Sequence, residues 1–118
     1  MRRVLGFAIT LAVIAAVLGF GISRLPSSAR AGTAFADATS TFKNKCAKCH
    51  GGDGRGKSFR GKLTHARDLT ESGWQNDVSD ERIFNSISNG KGKMPAFKKE
   101  LNESQINELV TYVRRFRR

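Results

Sequence analysis

The sequence predicts an all-α domain of about three main helices, preceded by a separate N-terminal hydrophobic helix. Three observations predict it. Val4 to Ile22, "VLGFAITLAVIAAVLGFGI", carries no charge and a single polar side chain, Thr10; three later segments repeat their apolar residues at helical spacing between recognisable caps; and no convincing strand pattern precedes Cys46.

Nineteen residues at about 1.5 Å each make roughly 28 Å of helix, close to the ~30 Å hydrocarbon core of a bilayer. The run exceeds the ~7–15 apolar residues of a secretory signal, which favours an uncleaved anchor. Ala29-Arg30-Ala31 and Ala34-Phe35-Ala36 nevertheless offer small-residue cleavage sites, so a cleaved signal peptide stays open. Arg2 and Arg3 on one side balance Arg24 and Arg30 on the other and leave the orientation open. Ser23 to Ala36, "SRLPSSARAGTAFA", is small, polar and poor in large apolar residues, and reads as a linker with no core to join. The expected organisation is therefore residues 1–22 as signal or anchor, 23–36 as linker and 37–118 as one domain. A domain of about 80 residues has a marginal core and needs a disulfide, metal or cofactor.

Within it, Ala38, Phe42, Cys46 and Cys49 share one face of a helix that Asp37 can cap and Gly51-Gly52 can end. Ser79 can cap a second helix, with Asp80 and Glu81 in its first turn, Val78 and Ile83 as a hydrophobic staple, Ile83, Phe84 and Ile87 as its apolar face, and Gly90 as its stop. In the third, Asn102 and Gln105 form a capping-box pattern and Leu101 and Ile106 a staple. Ile106, Leu109, Val110 and Val113 continue the stripe to Phe116, and Arg114, Arg115, Arg117 and Arg118 suit the negative end of the helix dipole.

The candidate staple lies in "FKNKCAKCHGGDGRG", Phe42 to Gly56, which holds both cysteines of the chain and one of its two histidines. A disulfide between Cys46 and Cys49 closes too small a loop to stabilise much. Structural zinc needs four ligands, and beyond Cys46, Cys49 and His50 only His65 remains. A thioredoxin-like motif belongs between a strand and a helix. C-x-x-C-H as covalent haem attachment fits best: two thiols add to the two porphyrin vinyl groups, and the adjacent imidazole reaches one axial position of the iron. For the second axial position Met94, in the Gly-rich loop "NGKGKMPAF" stiffened by Pro95, is a better candidate than His65, which reads as an exposed loop histidine. Lys91, Gly92 and Lys93 beside Met94 argue against a methionine that merely fills the core. The glycines between Cys49 and Gly61 read as loop punctuation or as backbone passing close to a porphyrin edge.

"CAKCHGGDGRG", "DLTESGW", "SDERIFNSISNGKGKMPAF" and the closing amphipathic helix together resemble a class I, monohaem c-type cytochrome of the small bacterial kind, over about Asp37 to Phe116. The resemblance implies the cytochrome c fold around one covalently bound haem c, thioethers at Cys46 and Cys49, His50 as proximal and Met94 as distal ligand of the iron, and Trp74 near a haem propionate. It departs in one place. Such domains usually carry a proline after the attachment loop, whose carbonyl accepts the proximal imidazole's hydrogen bond, and the only prolines here are Pro26 and Pro95. Another carbonyl must orient His50, and His65-Ala66-Arg67-Asp68 occupies that region.

The chain has 21 Lys and Arg against 10 Asp and Glu; without Arg2, Arg3, Arg24 and Arg30 the domain keeps 17 against the same 10, about +7. Export argues against nucleic acid as the target of that charge. A solvated surface accounts for it, or steering toward an acidic redox partner or an anionic membrane. The expected protein is an electron carrier and not an enzyme, at the periplasmic or other extracytoplasmic face of a bacterial membrane, anchored through residues 4–22 or released. Alternatives are a haem-c subunit of a larger oxidoreductase, or a peroxidase or gas sensor with an open iron site; the oligomeric state stays open.

Overall fold

Phe42 anchors the start of the domain in its core, only 2% exposed and surrounded by residues far away in sequence. The computed structural model describes residues 34–35 and 37–118. The predicted anchor or signal, Val4 to Ile22, and the linker 23–36 apart from Ala34 and Phe35 lie outside the described residues. No helix among the described residues is long and apolar enough to cross a membrane.

Residues 37–50 are helical throughout and form α1, in which Phe42–Cys46 winds as a π-helical turn before Ala47–His50 resumes the α geometry. Asp37 is itself helical, as are Ala34 and Phe35 before it, so it does not cap the helix. Gly51 closes α1 at φ 75°, as the Gly-Gly pair predicts. The π turn is invisible to a 3.6-residue pattern, and it changes what the predicted face does: Ala38 and Phe42 enter the core, whereas Cys46 and Cys49, half-buried, reach a cavity wall.

Two short helices were not expected. α2, Phe59–Thr64, and α3, Ser72–Asp77, have six residues each, too few for periodicity to register. The longer pair matches expectation closely. α4, Asp80–Asn89, starts at Ser79, whose hydroxyl accepts from the Arg82 amide at 3.2 Å, and ends at Gly90 with φ 77°. α5, Glu103–Arg114, carries the full capping box, Asn102 accepting from the Gln105 amide at 2.9 Å and donating its own amide to Gln105 Oε1 at 3.0 Å. Among the described residues there is no strand, only one antiparallel bridge between Lys91 and Met94.

α4 and α5 pack on each other, and Ile83, Ile87, Ile106, Leu109, Val110 and Val113 bury their apolar faces there. α1 closes the core from the other side. Its Phe42 ring lies 5.0 Å from Tyr112 and 5.1 Å from Phe116, so an aromatic cluster fastens the start of the domain to its last helix. Arg114 goes further than serving the helix dipole. Its guanidinium donates to Asp80 Oδ1 at 2.7 Å, the Val78 carbonyl at 2.6 Å and the Gln75 carbonyl at 2.7 Å, which ties the α3–α4 junction to α5.

Two substitutions measure these contributions by urea denaturation of the holoprotein. Asn102→Ala removes one half of the capping box and is expected to cost about 1 kcal/mol with an unchanged spectrum. Phe42→Ala empties the centre of the aromatic cluster and is expected to cost about 3–5 kcal/mol.

Candidate functional site

Between α1, α4, α5 and the loop after α4 lies a cavity of about 1000 Å³. That is the upper end of the ~300–1,000 Å³ range of cofactor pockets, inside a domain of about 80 residues. Core residues are its walls: Phe42, Leu69, Ile83, Ile87, Phe97 and Leu109 all face it. Cys46, Cys49, His50 and Met94, the four residues singled out from sequence, line this one cavity together.

Each is held by its neighbours. Both thiols are free. Burial pushes the Cys46 thiol up to about 11, with Lys45 opposing and Cys49 adding to the rise, so it stays protonated at neutral pH. His50 is at the C-terminal end of α1, and its Nδ1 lies 3.0 Å from the Arg67 carbonyl. A carbonyl only accepts, so Nδ1 carries the proton and Nε2 keeps its lone pair. Burial lowers the His50 pKa below the ordinary 6.5, the Arg67 hydrogen bond opposing, which keeps the ring neutral and able to ligate. The carbonyl that orients His50 in place of the missing proline's is therefore that of Arg67, which the sequence leaves open; it lies in the tetrapeptide occupying the region where that proline would be.

Arg67 itself is placed by backbone. Ala66 donates to the Gly61 carbonyl at 2.8 Å and Leu69 to the Gly54 carbonyl at 2.7 Å. Asp68 accepts from the Thr70 amide at 2.8 Å and hydroxyl at 2.7 Å. Gln75, 3% exposed, donates its amide to the carbonyls of Leu69 at 2.7 Å and Val113 at 3.0 Å, and its Oε1 accepts from Arg114 at 3.0 Å. Nothing in the sequence marks Gln75, because a glutamine in a six-residue helix normally faces water.

Ser58 is the other residue sequence reading missed, although a serine before an apolar residue is a cap signal. Its hydroxyl accepts from the Gly61 amide at 2.9 Å and lies 2.9 Å from both the Lys48 and Cys49 carbonyls, where its one proton is shared. α2 thereby locks onto the end of α1. Gly61 is required for that contact: a Cβ there would stand 2.1 Å from the Cys49 carbonyl oxygen. The close approach at Gly61 is thus made to the attachment helix, not to the porphyrin edge that the sequence offers as the alternative to loop punctuation.

The Met94 loop is fastened equally well. Lys91 and Met94 exchange backbone hydrogen bonds of 3.2 and 3.0 Å, and the Phe97 and Lys98 amides donate to the Ile87 and Ser88 carbonyls at 3.0 and 3.1 Å, tying the loop to α4. His65 is exposed and ends α2 at φ 56°, but it too borders the cavity. Trp74, half-buried on α3, forms part of the same wall. Seven Lys and Arg side chains line the cavity, among them Lys48, Lys91 and Lys93, against two carboxylates, Asp77 and Glu100. Lys45 is already paired with Glu100.

An apolar cavity of this size, with two free thiols and a neutral imidazole in its wall, fits haem c. It does not fit zinc, because among the described residues no three His, Cys, Asp or Glu side chains converge on one metal position. Two outcomes follow from the geometry. Gly61→Ala, read by holoprotein yield and urea denaturation, is expected to cost ~1–3 kcal/mol or more by overpacking against Cys49. The Thr70 donors bind the ionised form of Asp68 and hold its pKa below the ordinary 3.8. The stability it contributes is complete above that ordinary value and is lost as pH falls through the lower folded one. Wild type should therefore exceed Asp68→Asn in denaturation midpoint near neutral pH, with the gap closing below about pH 4.

Residues 33–113 match the model of a family described as cytochrome c oxidase, cbb3-type, subunit III. The chain is 36% identical over 113 residues to cytochrome c6 of Rippkaea orientalis, covering 96% of this chain and 92% of that one. It is 37% identical to cytochrome c6 of Gloeothece citriformis, covering 86% of each. Against the cbb3-type cytochrome c oxidase subunit FixP of Rhizobium etli it is 34% identical over 80% of this chain, and spans 31% of that longer protein. Among solved structures, the KustC0563 c-type cytochrome aligns with a TM-score of 0.66 and 34% identity, over 70% of this chain and 99% of that one. With the attachment motif at the wall of a haem-sized cavity and these likenesses across nearly its whole length, the chain belongs to the small monohaem c-type cytochromes, electron-transfer proteins with one haem c, here attached through Cys46 and Cys49.

Proposed function

We propose that this chain carries single electrons between extracytoplasmic redox partners through a low-spin iron ligated by His50 and Met94. The observation that carries the reading is the His50–Arg67 hydrogen bond, which leaves Nε2 unprotonated at the wall of a cavity that Met94 also lines. When bound, haem c supplies a one-electron ferric/ferrous couple. The polypeptide does the rest. Arg67 fixes the imidazole tautomer and raises its basicity, Met94 offers a soft thioether that favours the reduced metal, and the walls formed by Ile83, Ile87, Phe97 and Leu109 exclude water. If His50 and Met94 both held the iron, no position would be left for a substrate, which suits a carrier and not a peroxidase or gas sensor. Trp74, in the same wall, would pack near a haem propionate.

Residues 1–22 serve in this reading as anchor or signal, 23–36 as linker and 37–118 as the haem domain. Lys48, Lys91 and Lys93 put positive charge beside the attachment motif and the methionine loop, where an acidic redox partner would dock. A second reading is supported by the matching family's description and by the FixP relative: the domain serves as a haem-c subunit of a larger oxidoreductase. Co-purification from mild detergent separates a mobile carrier from a fixed subunit.

Optical spectra in both redox states, with and without carbon monoxide, test the ligation. Met94→Ala is expected to lower the potential by on the order of 0.1 V or more, within the ~0.8 V that axial ligands command, and to admit carbon monoxide. His65→Ala should change neither, and the opposite pattern would mean a bis-histidine iron. Haem should stay with the chain in acid and detergent, and Cys46→Ala or Cys49→Ala should weaken its attachment. Lys48, Lys91 and Lys93 all reversed to Glu should slow bimolecular electron transfer, and the wild-type rate should fall as salt approaches ~0.1 M, where screening acts over about 10 Å.

A further inference from the structure

Among the described residues, the two most exposed large apolar side chains are on α2. Phe59 is 82% exposed and Leu63 59%, and at i and i+4 they stand on one face, a turn apart. The charge around them is one-sided. Between Asp53 and Asp68 the chain carries Arg55, Lys57, Arg60, Lys62 and Arg67 and no carboxylate. Arg55 and Arg67 lean on Asp53 and Glu71 at the two ends of this stretch, at 3.8 and 3.5 Å. Among the described residues no ion pair engages Lys57, Arg60 or Lys62, which immediately flank the apolar pair. Lys93 adds a fourth cation, its Nζ donating to the Leu63 carbonyl at 3.1 Å.

We propose that this face of α2 docks the domain on an anionic phospholipid surface. Phe59 and Leu63 enter the headgroup boundary, while Lys57, Arg60, Lys62 and Lys93 meet the lipid phosphates, their methylene stems covering the apolar edge. A bilayer suits the shape of the patch. The two side chains stand out from a short helix, and a fluid interface receives them without a matching recess, which a protein partner would have to supply. Net positive charge on the domain, 17 Lys and Arg against 10 Asp and Glu from residue 37 onward, adds attraction of the same sign. Arg60, Thr64 and His65 of the same helix and its end border the cavity, so docking would fix the angle at which the haem edge meets partners in the membrane plane. The assignment goes beyond the proposed function and rests on neither the axial ligands nor the fate of residues 4–22.

The test is hydrogen exchange of the full-length holoprotein mixed with nanodiscs of phosphatidylglycerol and phosphatidylcholine, or of phosphatidylcholine alone. Amides of residues 58–64 should exchange at least ~5-fold more slowly with the anionic discs. Phe59→Ser with Leu63→Ser, and separately Lys57→Glu with Lys62→Glu, none of which lines the cavity, should abolish that protection and leave the haem spectrum and melting temperature as in wild type. Equal exchange with both lipids overturns the proposal. So does protection that survives both sets of changes, or that appears in phosphatidylcholine only when an acidic redox partner is added, which would assign the face to protein docking. Co-elution with the discs reports on residues 4–22 and the spectrum on ligation, so failure of either is seen separately from failure of the docking face.

Discussion

The hydrogen bond from His50 Nδ1 to the Arg67 carbonyl is the contact on which the other parts of the site converge. It joins the end of α1 to a loop seventeen residues away, and it settles which ring nitrogen is free to bind metal. Related domains place a proline at the acceptor, whose ring stiffens the loop. Here stiffness comes from a lattice of ordinary hydrogen bonds: Ala66 to Gly61, Leu69 to Gly54, Thr70 to Asp68, and Gln75 to both Leu69 and Val113. The substitution is physically sensible, because what the imidazole needs is a carbonyl at a fixed position, and several backbone bonds fix it as well as one restricted φ.

That lattice also explains how so small a domain supports a cavity. Walls such as Ile83, Ile87 and Leu109 belong to the same buried cluster that joins α4 to α5, so the cofactor's pocket and the hydrophobic core are one structure. Covalent attachment at Cys46 and Cys49 places the haem where a larger protein would place more side chains. The aromatic cluster of Phe42, Tyr112 and Phe116 then holds the attachment helix against α5, and α2 is pinned beneath it through Ser58 and Gly61.

The charge of the domain is divided between two neighbouring places. Lys48, Lys91 and Lys93 stand at the cavity rim, whereas Lys57, Arg60 and Lys62 surround exposed apolar side chains on α2. Lys93 touches both, through its bond to the Leu63 carbonyl. A carrier that meets membrane-plane partners gains from such a division, since one surface can set orientation while the other receives the electron-transfer contact.

By itself the sequence determined the all-α class, the caps and faces of α4 and α5, and the haem chemistry, because each rests on residues close together in the chain. Ser79 with Arg82, Asn102 with Gln105, and Cys46 with Cys49 and His50 are separated by no more than four positions, and such spacing is read directly. It also singled out Met94, through the composition of its loop. Only the tertiary structure decided the rest. The π turn at Phe42–Cys46 breaks the 3.6-residue rule, α2 and α3 are too short to leave a period, and Asp37 looks like a cap until the helical residues before it are seen. The Arg67 carbonyl is a backbone atom, which every residue possesses and no side-chain pattern reports. Gln75 and Gly61 matter through partners distant in the chain or through the closeness of a neighbouring backbone, and distance in space between residues far apart in sequence is what folding alone sets.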